Sequence, residues 1–220
     1  YSESFSNWIN TGLVALDMYT NSDVVYNGES TEEIGAWIVS TTKRRFENFD
    51  YVLYIDPNGN SYYDSGKRGN HSDREYFQKI KSGQVTFSIE NPTVAKATGK
   101  ISVMIAKGAY DANKRFRGVF VGIHSLQYLQ DIVSEFTLGK EGYSFLLDGN
   151  GTVIGHKNKD FVTKVNFLTG EKIDPSLQQV AKSMVNGAIA DGYGYKGTSE
   201  EVFISYAPVK NTPWSLAICD

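Results

Sequence analysis

Tyr51-Val52-Leu53-Tyr54-Ile55-Asp56-Pro57-Asn58-Gly59 returns later in the chain as Tyr143-Ser144-Phe145-Leu146-Leu147-Asp148-Gly149-Asn150-Gly151. Each copy is an apolar run suited to a strand and closed by Asp-x-Asn-Gly. Asn and Gly tolerate positive φ, so each copy predicts a tight β-hairpin. A second echo follows each one. Ile105-Ala106-Lys107-Gly108-Ala109-Tyr110, a polar turn and Phe116-Arg117-Gly118-Val119-Phe120-Val121 correspond to Ile204-Ser205-Tyr206-Ala207-Pro208-Val209, a turn and Trp214-Ser215-Leu216-Ala217-Ile218-Cys219. Two echoes in the same order argue for two similar modules in tandem.

A length of 220 residues suits one large domain or two small ones that share a long element. An apolar fraction of 40% with 14 tyrosines is enough for packed cores and argues against wholesale disorder. The net charge of −3 is spread over both signs with no Lys/Arg-rich run, so nucleic-acid binding has no electrostatic footprint. The single cysteine, Cys219, excludes an internal disulfide and any CxxC metal or redox site. No apolar run approaches the ~18–20 residues that span a bilayer, and no signal peptide is visible. The chain opens inside an amphipathic helical pattern and stops directly after a strand. This reads as a domain excised from flanking segments.

Phe5, Trp8, Ile9, Gly12, Leu13, Leu16 and Tyr19 recur at helical spacing and predict a helix over 1–20. Ser30-Thr31-Glu32-Glu33 has the form of a capping box and starts a second helix reaching about Phe46. Residues 1–46 thus form a helical stalk with a cap. Strands are expected at 50–56 and 61–64, then a polar loop over 65–71. A capping box at Ser72-Asp73-Arg74-Glu75 opens a short helix to Lys81, followed by strands at 85–89, 101–110 and 116–123. A linking helix over 125–139 ends at Gly139. The second module, 140–220, repeats the plan: a hairpin over 143–155, a helix after Asp174-Pro175, and strands near 192–196, 201–208 and 213–219. Antiparallel strands with one helix packed on a face describe a small α+β module. Built twice, the modules occupy about 47–124 and 140–220.

Several candidates for chemistry reduce to structure. Asp56-x-Asn58 and Asp148-x-Asn150 resemble calcium-loop starts, but Ser61 and Lys67, or Val153 and Lys159, stand where such a loop needs Gly and Glu. His71, His124 and His156 are not paired at metal-ligating spacing, and neither a nucleophile elbow nor a phosphate loop occurs. No metal, cofactor or catalytic residue is assigned. One constellation remains, Asp73-Arg74-Glu75-Tyr76-Phe77 after the polar loop. A guanidinium in the first turn of a helix, with two aromatics close behind, can clamp a carboxylate and cover an apolar body. The structural alternative is that Arg74 pairs with Asp73 or Glu75 and that Tyr76 is core.

The order of these landmarks resembles the double Cache sensor domains of bacterial chemoreceptors, sensor kinases and diguanylate cyclases. The matching stretches are the entry helix, Tyr54-Ile55-Asp56-x-Asn58-Gly59, Asp73-Arg74-x-Tyr76-Phe77, Ala97-Thr98-Gly99-Lys100, Arg117-Gly118-Val119, Gly142-Tyr143-Ser144-Phe145-Leu146-Leu147-Asp148 and Gly155-His156. The resemblance implies an α+β fold in which a long N-terminal helix carries two tandem PAS-like antiparallel-sheet modules. It implies a small ligand in the membrane-distal module and a membrane-proximal relay. The amino-acid-binding branch of that family has an Arg-x-Trp-aromatic motif, a downstream Tyr and a late-strand Asp that holds the ammonium. Here Arg74 and Phe77 match, Tyr76 replaces Trp, Thr93 stands at the Tyr position and Ile123 at the Asp position. A carboxylate donated from elsewhere, such as Asp111, would restore the missing counter-charge.

These readings imply an extracytoplasmic module of a bacterial inner-membrane receptor, tethered by missing flanking helices and able to pair through its N-terminal helix. Its ligand is expected to be a small carboxylate or neutral polar metabolite. The expected site comprises Arg74, Tyr76, Phe77 and Asp73, with Thr93, Met104, Ala106 and Ile123 around them and loop 65–73 as a lid. The alternatives are a secreted or periplasmic binding domain without signalling output, and a hydrolase whose nucleophile and base meet only in three dimensions.

Overall fold

The computed structural model describes residues 2–137, 142–196 and 201–220. Gly139, the expected stop of the linking helix, lies outside them. In chain order the elements are α1 (Ser2–Ala15), α2 (Asp17–Thr20), α3 (Asp23–Tyr26), α4 (Thr31–Ser40), β1 (Tyr51–Ile55), β2 (Asn60–Tyr63), β3 (Arg68–Asn70), α5 (Glu75–Lys81), β4 (Phe87–Ile89), β5 (Thr93–Val94), β6 (Ile101–Tyr110), β7 (Phe116–Ser125), α6 (Leu126–Glu135), β8 (Tyr143–Leu147), β9 (Val153–His156), α7 (Pro175–Val185), β10 (Ala190–Lys196), β11 (Glu201–Pro208) and β12 (Ser215–Cys219). The opening helix breaks after Ala15 and resumes as the single turns α2 and α3. The capping box at Ser30 forms as expected, with the Ser30 and Glu33 side chains each taking the other's amide. The chain divides into two compact units, residues 8–93 with 102–124, and residues 2–7, 94–101 and 125–220.

The first unit is built on an antiparallel sheet in the order β3-β2-β1-β7-β6-β4, with β5 paired to β6. Tyr51 stands opposite Ile123, and Leu53 opposite both Val121 and Tyr63. Side chains alternate between faces along a strand, so Tyr51, Leu53, Tyr63 and Ile123 share one face while Val52, Tyr54, Tyr62 and Gly122 share the other. The helices from residue 8 onward cover the second face. At Gly35 of α4 a Cβ would lie 2.2 Å from the Tyr62 ring, so glycine is what admits the helix to this distance. Gly12 and Gly122 let Ile105, Phe49 and His124 close up beneath α1 in the same way. The first face is covered by α5, whose Ile80 would lie 2.9 Å from a Cβ at Gly108.

The second unit has a five-stranded antiparallel sheet, β10-β11-β12-β8-β9. Its main core joins Phe145, Leu147, Val153, Ile204 and Ala217 on the sheet to Val180, Ala181 and Met184 of α7. On the opposite face lies α6, where Val133 would meet a Cβ at Gly155. Gln130 of α6 also pairs with the His156 backbone in both directions. Phe5 closes one end of this core, edge-on to Phe136 and Trp214.

The repeat seen in the sequence is a repeat in hydrogen bonds. Asp56 Oδ1 accepts from the amides of Asn58 at 2.8 Å and Asn60 at 2.9 Å. Asp148 Oδ1 accepts from Asn150 and Thr152 at the same two distances. Gly59 and Gly151 supply the positive φ at +90° and +80°. The hairpins fix matching registers, with Tyr143 opposite Cys219 where the first unit has Tyr51 opposite Ile123.

Two outcomes follow. Asp56→Ala should cost about 1–3 kcal/mol in urea unfolding, since the hairpin turn loses the hydrogen bonds of two amides to a charged acceptor, and neither calcium nor a chelator should move the midpoint of the parent protein. Burial holds the His124 imidazole down at about 4, from 6.5 in the unfolded chain, against a weaker opposing bond with the Asn48 backbone. Between those values the unfolded chain takes a proton that the native state refuses, so the His124 contribution is whole above pH 6.5 and falls as pH drops toward 4. At about 1.4 kcal/mol per pH unit the loss approaches roughly 3 kcal/mol. Unfolding titrations of the parent and His124→Gln across this window should diverge near neutrality and converge toward pH 4.

Candidate ligand-binding site

The short helix α5 lies over the first face of the β1–β7 sheet, with Tyr76, Phe77 and Ile80 buried beneath it. Arg74 is its N-cap residue with an extended backbone, one position ahead of the first helical turn where the capping-box spacing had placed it. Lys81 sets its ammonium 5.7 Å from the centre of the Phe77 ring.

Three phenols belong to this face: Tyr51 and Tyr63, with rings 5.8 Å apart, and Tyr76, buried in α5 itself. Burial pushes Tyr51 up to about 12, with Tyr63 and Asp50 adding and Arg74 opposing. Tyr63 is raised chiefly by burial, against a hydrogen bond with Ser61 and the charge of Arg74. Tyr76 is raised by burial, and Arg74 is the first influence that opposes it. All three hydroxyls therefore keep their protons at physiological pH. A guanidinium and three phenolic O–H groups form a donor-rich cluster, and its chemical complement is an acceptor-rich group such as a carboxylate.

Behind these phenols stands His71, 4% exposed. Its Nδ1 lies 2.9 Å from Ser61 Oγ and its Nε2 3.4 Å from the Tyr63 hydroxyl. The His71 amide also donates to the Gly59 carbonyl at 2.8 Å, which ties it to the first hairpin turn. The residues before it are not a free lid. Arg68–Asn70 form β3 and pair in register with Asn60–Tyr62, and Arg68 holds Glu32 through two bonds. Hydrogen bonds to the sheet supply the anchoring that the polar composition of 65–73 concealed.

The other expected site residues fall in different places. Ile123 is buried and directly opposite Tyr51, so that rung offers a hydrocarbon and no carboxylate. Met104 and Ala106 are buried in β6, on the face that carries Gly108 toward Ile80 of α5. Asp73 is exposed, and Thr93 is half-buried in β5. Asp111 Oδ1 accepts from the amides of Asn113 and Arg115 in the β6–β7 turn. Glu75 pairs with Lys79 at 2.7 Å. Tyr51, Tyr63 and His71 were not assigned from the sequence. For the two tyrosines the signal was present, because they share the parity of Leu53 in the first hairpin.

The corresponding rung of the second unit holds different chemistry. Tyr143 stands opposite Cys219, and Phe145 opposite His156. Burial raises the Cys219 thiol to about 11, against a bond with Tyr143 and the Lys157 charge. Burial lowers His156 to about 4, against a bond with the Asn158 amide. Lys157 places its ammonium 4.4 Å from the centre of the Tyr143 ring. Two open cavities lie in this unit. One of about 340 Å3 is bordered by Ile189, Asp191, Ser205, Ala207, Leu216 and Ile218. The other, of about 190 Å3, lies among Leu126, Gln127, Gln130, Lys159, Val162 and Thr163. Among the described residues no group of three or more His, Cys, Asp or Glu could hold a metal ion, and no helix is long and apolar enough to cross a membrane.

Comparison with known proteins places this architecture. The chain is 33% identical over 89 residues to the methyl-accepting chemotaxis protein PctB of Pseudomonas aeruginosa, an overlap covering 40% of this chain and 14% of that protein. It is 26% identical over 144 residues to the methyl-accepting chemotaxis protein McpB of Bacillus subtilis, covering 66% of this chain and 19% of the relative. The chain thus spans less than a fifth of either curated relative. The ligand-binding domain of the Pseudomonas fluorescens chemoreceptor CtaA, solved with L-isoleucine, shares the fold with a TM-score of 0.73. That match covers 99% of this chain and 86% of the other at 17% identity. The model of the Cache domain in its double form matches residues 1–218, and the chain belongs to that family.

Proposed function

We propose that this chain is the small-molecule-sensing part of a bacterial transmembrane receptor, with the ligand held in the first module by Arg74 and the phenols around it. The observation that carries the reading is that Tyr51 and Tyr63, their rings 5.8 Å apart, share the face covered by α5, the helix that buries Tyr76 and has Arg74 as its N-cap. Membership of the Cache family and the likeness to chemoreceptor domains support the sensing role. In this reading residues 1–46 are the helical stalk and cap, 47–124 the ligand-binding module, 125–139 the linking helix and 140–220 the relay toward the membrane. The receptor is anchored in the inner membrane and its sensing part lies outside the cytoplasm.

The likeness to a domain solved with L-isoleucine brings α-amino acids into consideration. Against them stands Ile123, because an ammonium buried beside hydrocarbon without a counter-charge is strongly disfavoured. A small carboxylate or a neutral polar metabolite fits the Arg74 end better. A catalytic reading finds its best support in Ser61 and His71. Yet Ser61 is 1% exposed and the second ring nitrogen of His71 faces a phenol, so no substrate carbonyl can approach the hydroxyl.

Calorimetry on a panel of organic acids, α-amino acids and neutral metabolites tests this. Arg74→Ala should cost on the order of 2–5 kcal/mol for a carboxylate held in a desolvated pair. Tight binding of an α-amino acid that Arg74→Ala leaves unchanged would refute both ligand class and site. Val14, 57% exposed, and Met18, 42% exposed, suit pairing of two copies through the N-terminal helices. Val14→Glu with Met18→Glu should then abolish dimers in sedimentation.

A further inference from the structure

We propose that the larger cavity of the second unit is a further binding site, one that takes a small organic monocation with an apolar body and holds it by the Asp191 carboxylate. Strand alternation decides which face the cavity lies on. Ile204 and Ala217 pack with α7, so Ser205, Ala207, Leu216 and Ile218 belong to the opposite face. On that face α6 lies over β8 and β9. The stretch over β11 and β12 carries the open cavity of about 340 Å3, walled by Ile189, Ala207, Leu216 and Ile218. Its volume falls in the range of small-molecule sites, about 300–1,000 Å3.

The polar end of the cavity is built by an irregularity in β10. Ala190 stands opposite Tyr206 and Tyr193 opposite Ile204, so Asp191 and Gly192 together face the single residue Ser205. Such a bulge bends its strand and re-aims the side chains beside it. Gly192 supplies the positive φ, at +64°. Its amide donates to Ser205 Oγ at 2.9 Å, and Ser205 Oγ donates to Asp191 Oδ1 at 3.0 Å. The bulge thus fixes one carboxylate oxygen at the cavity border through a hydroxyl whose proton is already committed. Asp191 forms no ion pair among the described residues, and no Lys, Arg or His borders the cavity. A neutral apolar guest would take water from the carboxylate and give nothing back, and an anion would be repelled. An ammonium set against Asp191 meets the charge while its hydrocarbon covers Leu216 and Ile218. Asp191 is exposed, so the gain is that of a solvated ion pair and the selectivity is modest.

Amide-resolved NMR titration of the 220-residue chain with benzylamine, benzyl alcohol and benzoate tests this. Benzylamine should shift the Gly192, Ser205 and Ala207 amides and bind about threefold or more tighter than benzyl alcohol, the gain of an exposed ion pair. Benzoate should leave those amides in place. Asp191→Asn, which keeps an oxygen for Ser205, should bring the ratio of amine to alcohol affinity to about one. Ala207→Phe, which fills the cavity, should abolish both, and it is the independent arm where Asp191→Asn lowers the melting temperature. Arg74→Ala should leave benzylamine binding unchanged; its loss there would move the amine to the first unit and overturn the proposal. Equal affinity for amine and alcohol, or amine binding unaltered in Asp191→Asn, overturns the role of the carboxylate. Amides that stay in place at tens of millimolar benzylamine overturn the site. So do amides that shift on raising the protein concentration alone, which would show a second copy covering this face.

Discussion

Everything at the candidate site depends on the register of the central strands. Side chains alternate with a period of two, so slipping β1 by one residue would carry Tyr51 and Leu53 to the helix-covered face and bring Val52 and Tyr54 to the other. The Asp56 carboxylate prevents the slip on one side by binding two amides of the turn. On the other side five consecutive pairs, Tyr51 with Ile123 through Ile55 with Val119, lock β1 against β7. With that register set, Tyr63 follows from its place opposite Leu53, and the Ser61–His71 contact holds the chain that leads into Arg74. The candidate residues are thus mounted on strands and on a hairpin tied to them.

The two modules show how a duplicated frame diverges without changing its scaffold. Tyr51 opposite Ile123 and Tyr143 opposite Cys219 are the same rung of the same topology. In the first unit the rung neighbours a guanidinium and further phenols. In the second, Tyr143 bonds a thiol that burial keeps protonated, and the nearest cation, Lys157, sits over the Tyr143 ring where the attraction is to its π-face. The backbone plan is retained and the polar equipment is rewritten, as expected when function resides in a site grafted on a fold.

Much of the fold was legible because the features that announce it are local. Asp-x-Asn-Gly closes a hairpin by its own hydrogen bonds, Ser30 and Glu33 satisfy each other across one turn, and Asp174-Pro175 opens α7 with a bond from Asp174 to the Ser176 amide. The site was legible only in part. Arg74, Tyr76 and Phe77 lie at the cap and in the first turn of one short helix and could be read together. Tyr51 and Tyr63 carried the right parity, but nothing local says which face of a buried strand will be polar. The pairing of Arg68–Asn70 with β2 escaped notice because that strand is three exposed residues long.

The chemistry of the cluster follows from what a low-dielectric wall permits. Phenols that burial keeps protonated cannot neutralise a guanidinium; they add donors beside it. Such a face favours an anion, and it favours one small enough to meet several donors at once.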